Sequence, residues 1–140
     1  MKIIFLDPTQ TEYLRNCIND DREFRLAANA FSKDILLRAS DTKCIIKVRD
    51  GVITQIRLNP APMDPWSFCI TASAESWTKF LQLCPPPFYF DLYGSVVRQN
   101  FEVGGDIEAL FTHFWAVTRM LDVMRQLQNE PVKENSDERT

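Results

Sequence analysis

The stretch FEVGGDIEALFTHFWAVTRMLDVMR, residues 101–125, decides the fold. Phe101 and Val103, with Val97 and Gln99 before them, lie on one side of a strand. Gly104-Gly105-Asp106 then turns the chain into a helix for which Asp106 is a good N-cap. Beyond the turn, Ile107, Leu110, Phe111, Phe114, Val117, Leu121 and Met124 recur at helical spacing, which predicts one closing helix. Trp115, Met120 and Val123 add apolar surface away from that stripe, while Glu108, Thr112, Arg119, Asp122 and Gln126 share one narrow polar stripe. A helix laid on one sheet face needs an apolar stripe of only about 100°. The surplus has to meet another helix, a ligand or a partner.

Working outward, the preceding sequence changes period twice. Thr9-Gln10-Thr11-Glu12 fits a capping box that starts a first helix near Thr9, with Tyr13, Leu14, Cys17 and Ile18 on its apolar side. Asn19-Asp20-Asp21 ends it and caps a second helix in which Phe24, Ala27, Ala28 and Phe31 recur. In KCIIKVRDGVITQIRLN (43–59) two alternating runs flank Asp50-Gly51, a strong hairpin signal, and Ile35-Leu36-Leu37-Arg38 pairs alongside. After the breaker PAPMDP (60–65), SFCITAS (67–73) is a further strand, and Ser73 caps a short helix carrying Trp77, Phe80 and Leu81. CPPPFYFDLYG (84–94) is a proline-stiffened aromatic connection. The order predicts an α+β domain: an antiparallel sheet of about five strands, covered on one face by helices. The domain spans residues 1–130, and the polar stretch 131–140 is expected to be a disordered tail.

Composition narrows the function. A net charge of −3 offers no basic stripe for a phosphate backbone, so nucleic acid is not an expected partner. The apolar start, Met1 to Leu6, stops at Asp7-Pro8, too short for a signal core or a membrane span. Cys17, Cys44, Cys69 and Cys84 are far apart with no C-x-x-C pair, which fits free thiols and a cytoplasmic protein rather than a metal site. There is no G-x-S-x-G, Walker loop, GxGxxG or H-E-x-x-H, so no catalytic residue, metal or cofactor is expected. Asp91 and Tyr93 are better explained as a loop acid and an anchoring ring than as a proton-transfer pair. Ten Phe in 140 residues suit a cavity wall as well as a core.

From Asp41 to Met124 the chain resembles the sterol carrier protein 2 (SCP2-like) family. The resemblance rests on the order of three signatures: the Asp-Gly hairpin KVRDGVITQIRLN, the strand-to-helix passage FCITASAESWTKFLQL with its Trp77, and the entry FEVGGDIEALFTHF. It implies an antiparallel sheet and helices enclosing a hydrophobic tunnel, and binding by burial rather than covalent chemistry. The segment PPPFYFDLYGSVVRQN is longer and more aromatic than the usual connection of that family. Expected wall residues are Phe80, Leu81, Phe88, Phe90, Leu110, Phe114, Val117 and Leu121, around a lipid, acyl, sterol or polycyclic ligand. His113, the single histidine, falls in the apolar arc; it is expected to be a core imidazole satisfied by a neighbour, and in the carrier reading it orients a polar head. Trp115 projects from the polar stripe, where no core receives it, and is the expected partner contact, since exposed Trp is enriched in binding surfaces. The competing reading is a non-catalytic subunit that supports a larger enzyme, such as an α/β-hydrolase acting on hydrophobic substrates, or that self-associates.

Overall fold

A computed structural model describes residues 3–82 and 101–129. A five-stranded sheet has the order β3-β2-β1-β4-β5, with β1 Asp34–Ala39, β2 Thr42–Arg49, β3 Val52–Leu58, β4 Phe68–Ala72 and β5 Glu102–Gly105. Every neighbouring pair is antiparallel except β1 and β4, which run parallel with Ile35 opposite Phe68 and Ala39 opposite Ala72. The sheet is therefore mostly antiparallel with one parallel pair, where the order of the elements predicted an antiparallel sheet. The cause is the connection 59–67, which carries the chain from one edge strand, β3, back across the sheet to β4. Arg57 pairs with Asp64 of this connection at 3.4 Å, and Ser67 N–H donates to the Asp34 carbonyl at 2.8 Å.

Local chemistry explains the turns. Asp50 and Gly51 have φ of 55° and 79°, the two positive values that a tight hairpin of this hand requires. The hairpin tip docks on the turn that follows the second helix, where Gly51 N–H donates to the Phe31 carbonyl at 2.8 Å. Gly105 has φ of 82°, and a Cβ there would fall 2.6 Å from the Ser67 carbonyl oxygen and 2.7 Å from the Trp66 ring. Only glycine fits that position without strain. Asp106 follows and accepts from Ala109 N–H at 3.0 Å, so the N-cap read from the sequence is present.

Helices α1 (Thr11–Asp20), α2 (Arg22–Ala27), α3 (Ala74–Phe80), α4 (Ile107–Thr112) and α5 (Phe114–Gln128) join a 3₁₀ turn, Ile4–Leu6, on one face of the sheet. Alternate strand residues, Ile35 and Leu37, Cys44, Ile46 and Val48, Phe68 and Ile70, point into that core. Asp21 caps α2 and Ser73 caps α3, each accepting from the backbone three residues on. The expected capping box at Thr9 does not form. Asp7 Oδ1 takes both the backbone N–H and the hydroxyl of Thr9, and α1 starts two residues later without a side-chain cap. Phe31 is buried although α2 ends at Ala27; a turn rather than the helix carries it inward, with Phe31 N–H donating to the Ala28 carbonyl.

Trp77 sits at the centre of the core. It is fully buried, its ring meets Phe5 and Phe101 edge-on at 4.9 and 4.8 Å, and its Nε1 donates to the Arg38 carbonyl at 2.8 Å. At the sheet edge, Asn19 at the end of α1 grips β3. Its Oδ1 accepts from Ile53 N–H at 2.8 Å and its Nδ2 donates to the Ile53 carbonyl at 3.0 Å.

Candidate functional site

The closing helix predicted over 107–124 is two helices, with His113 as the C-cap of α4 and the residue before α5. The break leaves Phe111 over half exposed, although its spacing placed it on the buried stripe. Phe111 stacks on Phe114 with ring centres 6.0 Å apart, and Phe114 meets Trp115 edge-on at 5.8 Å. Trp115 is 75% exposed, as its place on the polar stripe predicted. These rings form a continuous aromatic surface over the junction, with Phe114 half-buried at its root.

His113 departs from the expected core imidazole. It is half-buried and stacks on Phe31 at 4.3 Å, but its ring makes no hydrogen bond among the described residues. Burial, and secondarily the charge of Lys33, lowers its pKa below the usual 6.5, so the ring is neutral at pH 7. One turn after Trp115, Arg119 forks onto Asp21, with Nε and Nη2 donating to its two oxygens at 2.8 and 2.9 Å. The guanidinium bond holds the Asp21 carboxyl below its ordinary range despite partial burial, and α2 is thereby tied to α5.

The remaining apolar arc is core. Ala116, Val117, Met120, Leu121, Val123 and Met124 are all buried, because α5 packs against α1, α2, α4 and the 3₁₀ turn. Of the expected wall residues, Phe80, Leu81, Leu110, Val117 and Leu121 are buried in the same continuous cluster, and Phe114 packs against it from the side. Arg125 closes the far end: its guanidinium lies 4.7 Å from the Phe80 ring centre and its Nε donates to the Phe80 carbonyl. Phe88 and Phe90 lie outside the described residues, as do Cys84, Asp91, Tyr93, Val97, Gln99 and the expected tail 131–140.

Other chemistry is sparse. A cleft of about 340 Å³ between α1 and β3 is lined by Thr11, Glu12, Arg15, Thr54, Gln55 and Ile56, too polar a wall for an apolar ligand. Among the described residues no group of three or more His, Cys, Asp and Glu could hold a metal ion. The Cys44 thiol is buried and its pKa is pushed far above the usual range, which keeps it un-ionised and unreactive. No described helix is long and apolar enough to cross a membrane.

No family model and no curated protein matches the sequence. Solved structures do. A crystal structure of sterol carrier protein 2 superposes with a TM-score of 0.67 over 81% of this chain and 92% of its own, at 17% identity. The chain has the sterol carrier protein 2 fold. A conserved hypothetical protein from Thermus thermophilus, a candidate sterol carrier protein, matches with a TM-score of 0.71 over 94% of both chains, at 16% identity. The ubiquinone synthesis protein UbiJ, described as UbiJ-SCP2, matches with a TM-score of 0.55 over 84% of this chain and 93% of its own, at 15% identity. In this SCP2 fold the three local signatures have structural reasons: the Asp50-Gly51 turn, the buried Trp77 and the Gly105-Asp106 entry into α4.

Proposed function

We propose that this chain binds a hydrophobic small molecule without catalysing its conversion, between the sheet and the helices α3 to α5. The observation that carries the reading is the aromatic surface at the α4–α5 junction, in a fold shared with sterol carrier protein 2. Phe114, half-buried beside Leu110 and Val117, forms the wall, and His113, neutral at pH 7, lies beside it as an uncharged polar contact. Phe80, Leu81 and Leu121 back that wall; as core residues they act by shape. Burying a few hundred Å² of ligand surface at ~25 cal/mol per Å² yields several kcal/mol before the entropic cost of association.

A second reading has its own observation. Trp115 and Phe111 present large, mostly exposed rings, the feature of a protein contact. In that reading the chain is a non-catalytic subunit of a larger enzyme that handles hydrophobic substrates, and the assembly buries upwards of ~1,000 Å². Native mass spectrometry of the protein purified from its own host without detergent separates the two. Extra mass of a few hundred daltons, extractable into organic solvent, is expected for a carrier. A stoichiometric larger polypeptide on an otherwise empty chain would replace that reading with the subunit. Phe114→Ala is expected to weaken ligand binding and spare assembly, and Trp115→Ala to do the reverse.

A further inference from the structure

Four threonines lie in the described helices, and three of their hydroxyls are bonded locally. Thr11 Oγ1 donates to the Pro8 carbonyl, Thr78 Oγ1 to Ala74 at 2.9 Å and Thr112 Oγ1 to Glu108 at 2.8 Å. Thr118 differs. Its Oγ1 is, among the described residues, the fully buried side-chain nitrogen or oxygen left without a hydrogen-bond partner. The carbonyl of Phe114, one turn back, is the acceptor that such a hydroxyl ordinarily uses. In α5 Thr118 stands one turn after Phe114 and one turn before Leu121, on the flank that carries the aromatic surface.

A buried hydroxyl that bonds nothing is costly to keep and calls for a specific reason. From these positions we propose that Thr118 is the polar anchor of the bound molecule, hydrogen-bonded to an uncharged oxygen, a hydroxyl or an ester carbonyl, at the head of a long apolar body. The proposal rests on the ligand-binding reading above and specifies its ligand class as a neutral amphiphile. A plain hydrocarbon leaves the hydroxyl unpaired. A carboxylate brings a charge into a wall of Phe114 and Leu121, where ionised groups are strongly disfavoured.

The test displaces the hydrocarbon dye diphenylhexatriene with dodecanol or with dodecane, from the wild type, Thr118→Val and Thr118→Ser. Valine is expected to weaken dodecanol about three- to tenfold, the loss of one hydrogen bond. Dodecane is expected to bind the wild type and valine variant equally, and serine is expected to restore dodecanol binding. Equal dodecanol affinity in the wild type and the valine variant overturns the anchor while leaving the carrier intact. A wild type that takes up neither compound overturns the carrier reading and the anchor with it. Without ligand, the valine variant is expected to melt no lower than the wild type. A lower melting temperature would show the hydroxyl bonded within the chain and would also overturn the proposal.

Discussion

Replacing either of two adjacent glycines by alanine tests the account of the turn into α4. At Gly105 the substitution meets two penalties. A non-glycine residue at φ of 82° is in the left-handed region, at about 1–2 kcal/mol. Its Cβ also lies 2.6 Å from the Ser67 oxygen and 3.0 Å from the Phe68 Cα, so backbone has to move; overpacking of that kind costs about 1–3 kcal/mol. The expected loss is about 2–5 kcal/mol, a large part of the ~5–15 kcal/mol that stabilises an ordinary domain. Gly104 has no positive φ, and among the described residues a Cβ there meets only the Cys69 sulfur, at 3.3 Å. Alanine there also lowers the entropy of the unfolded chain, so the net change is expected to stay within about 1 kcal/mol of zero. Urea unfolding followed by far-ultraviolet circular dichroism measures both variants. If Gly105→Ala unfolds at the same urea concentration as Gly104→Ala, the strained turn is not what directs the chain from β5 into α4.

Further outcomes follow from the core and the charges. Trp77→Phe removes the Nε1 donor to the Arg38 carbonyl and leaves a void among Phe5, Phe80 and Phe101; it is expected to cost about 2–4 kcal/mol in urea unfolding. Trp115→Ala, at a mostly exposed position, is expected to cost under about 0.5 kcal/mol by the same assay. Asp21 has a folded pKa below its ordinary 3.8, so its stabilisation is complete above pH 3.8 and disappears as pH falls through the lower folded value. Asp21→Asn keeps an N-cap and removes the charge, so its melting temperature is expected to be lower than that of the wild type at pH 6 and to converge with it in strong acid. Parallel curves at all pH values would show that the pair with Arg119 contributes nothing.

The signals legible in the sequence were those encoded within a few residues. Asp50-Gly51, Ser73 and Asp106 each specify a turn or cap by their own backbone and side-chain chemistry, and each is present. Alternation in β2 likewise identified the face that meets the core, through Cys44, Ile46 and Val48. The parallel pairing of β1 with β4 was not legible, because alternation assigns faces to a strand and is blind to its neighbour. The break at His113 was hidden for a similar reason: the apolar spacing continues across it from Leu110 to Phe114 and Val117. Thr9 was misread because Asp7, two residues earlier, competes for the same donors. At the site, the exposure of Trp115 followed from the helical wheel. The burial of Met120 and Val123 depends on where α1 and α2 come to rest, and no period within α5 records that. The unbonded hydroxyl of Thr118 has no sequence signal, since a threonine bonded to its own helix is written identically.

The grip of Asn19 on Ile53 has a consequence for the protein at high concentration. β3 is the outermost strand on its side, and an unpaired edge is a template on which another chain can extend the sheet. The Asn19 amide offers Ile53 the same acceptor and donor that a neighbouring strand would offer, from a side chain that cannot itself be extended. The edge is thus occupied by a counterfeit strand one residue long. Its loss would leave the fold largely intact and open the protein to growth by addition of further copies, a failure visible as aggregation rather than as unfolding.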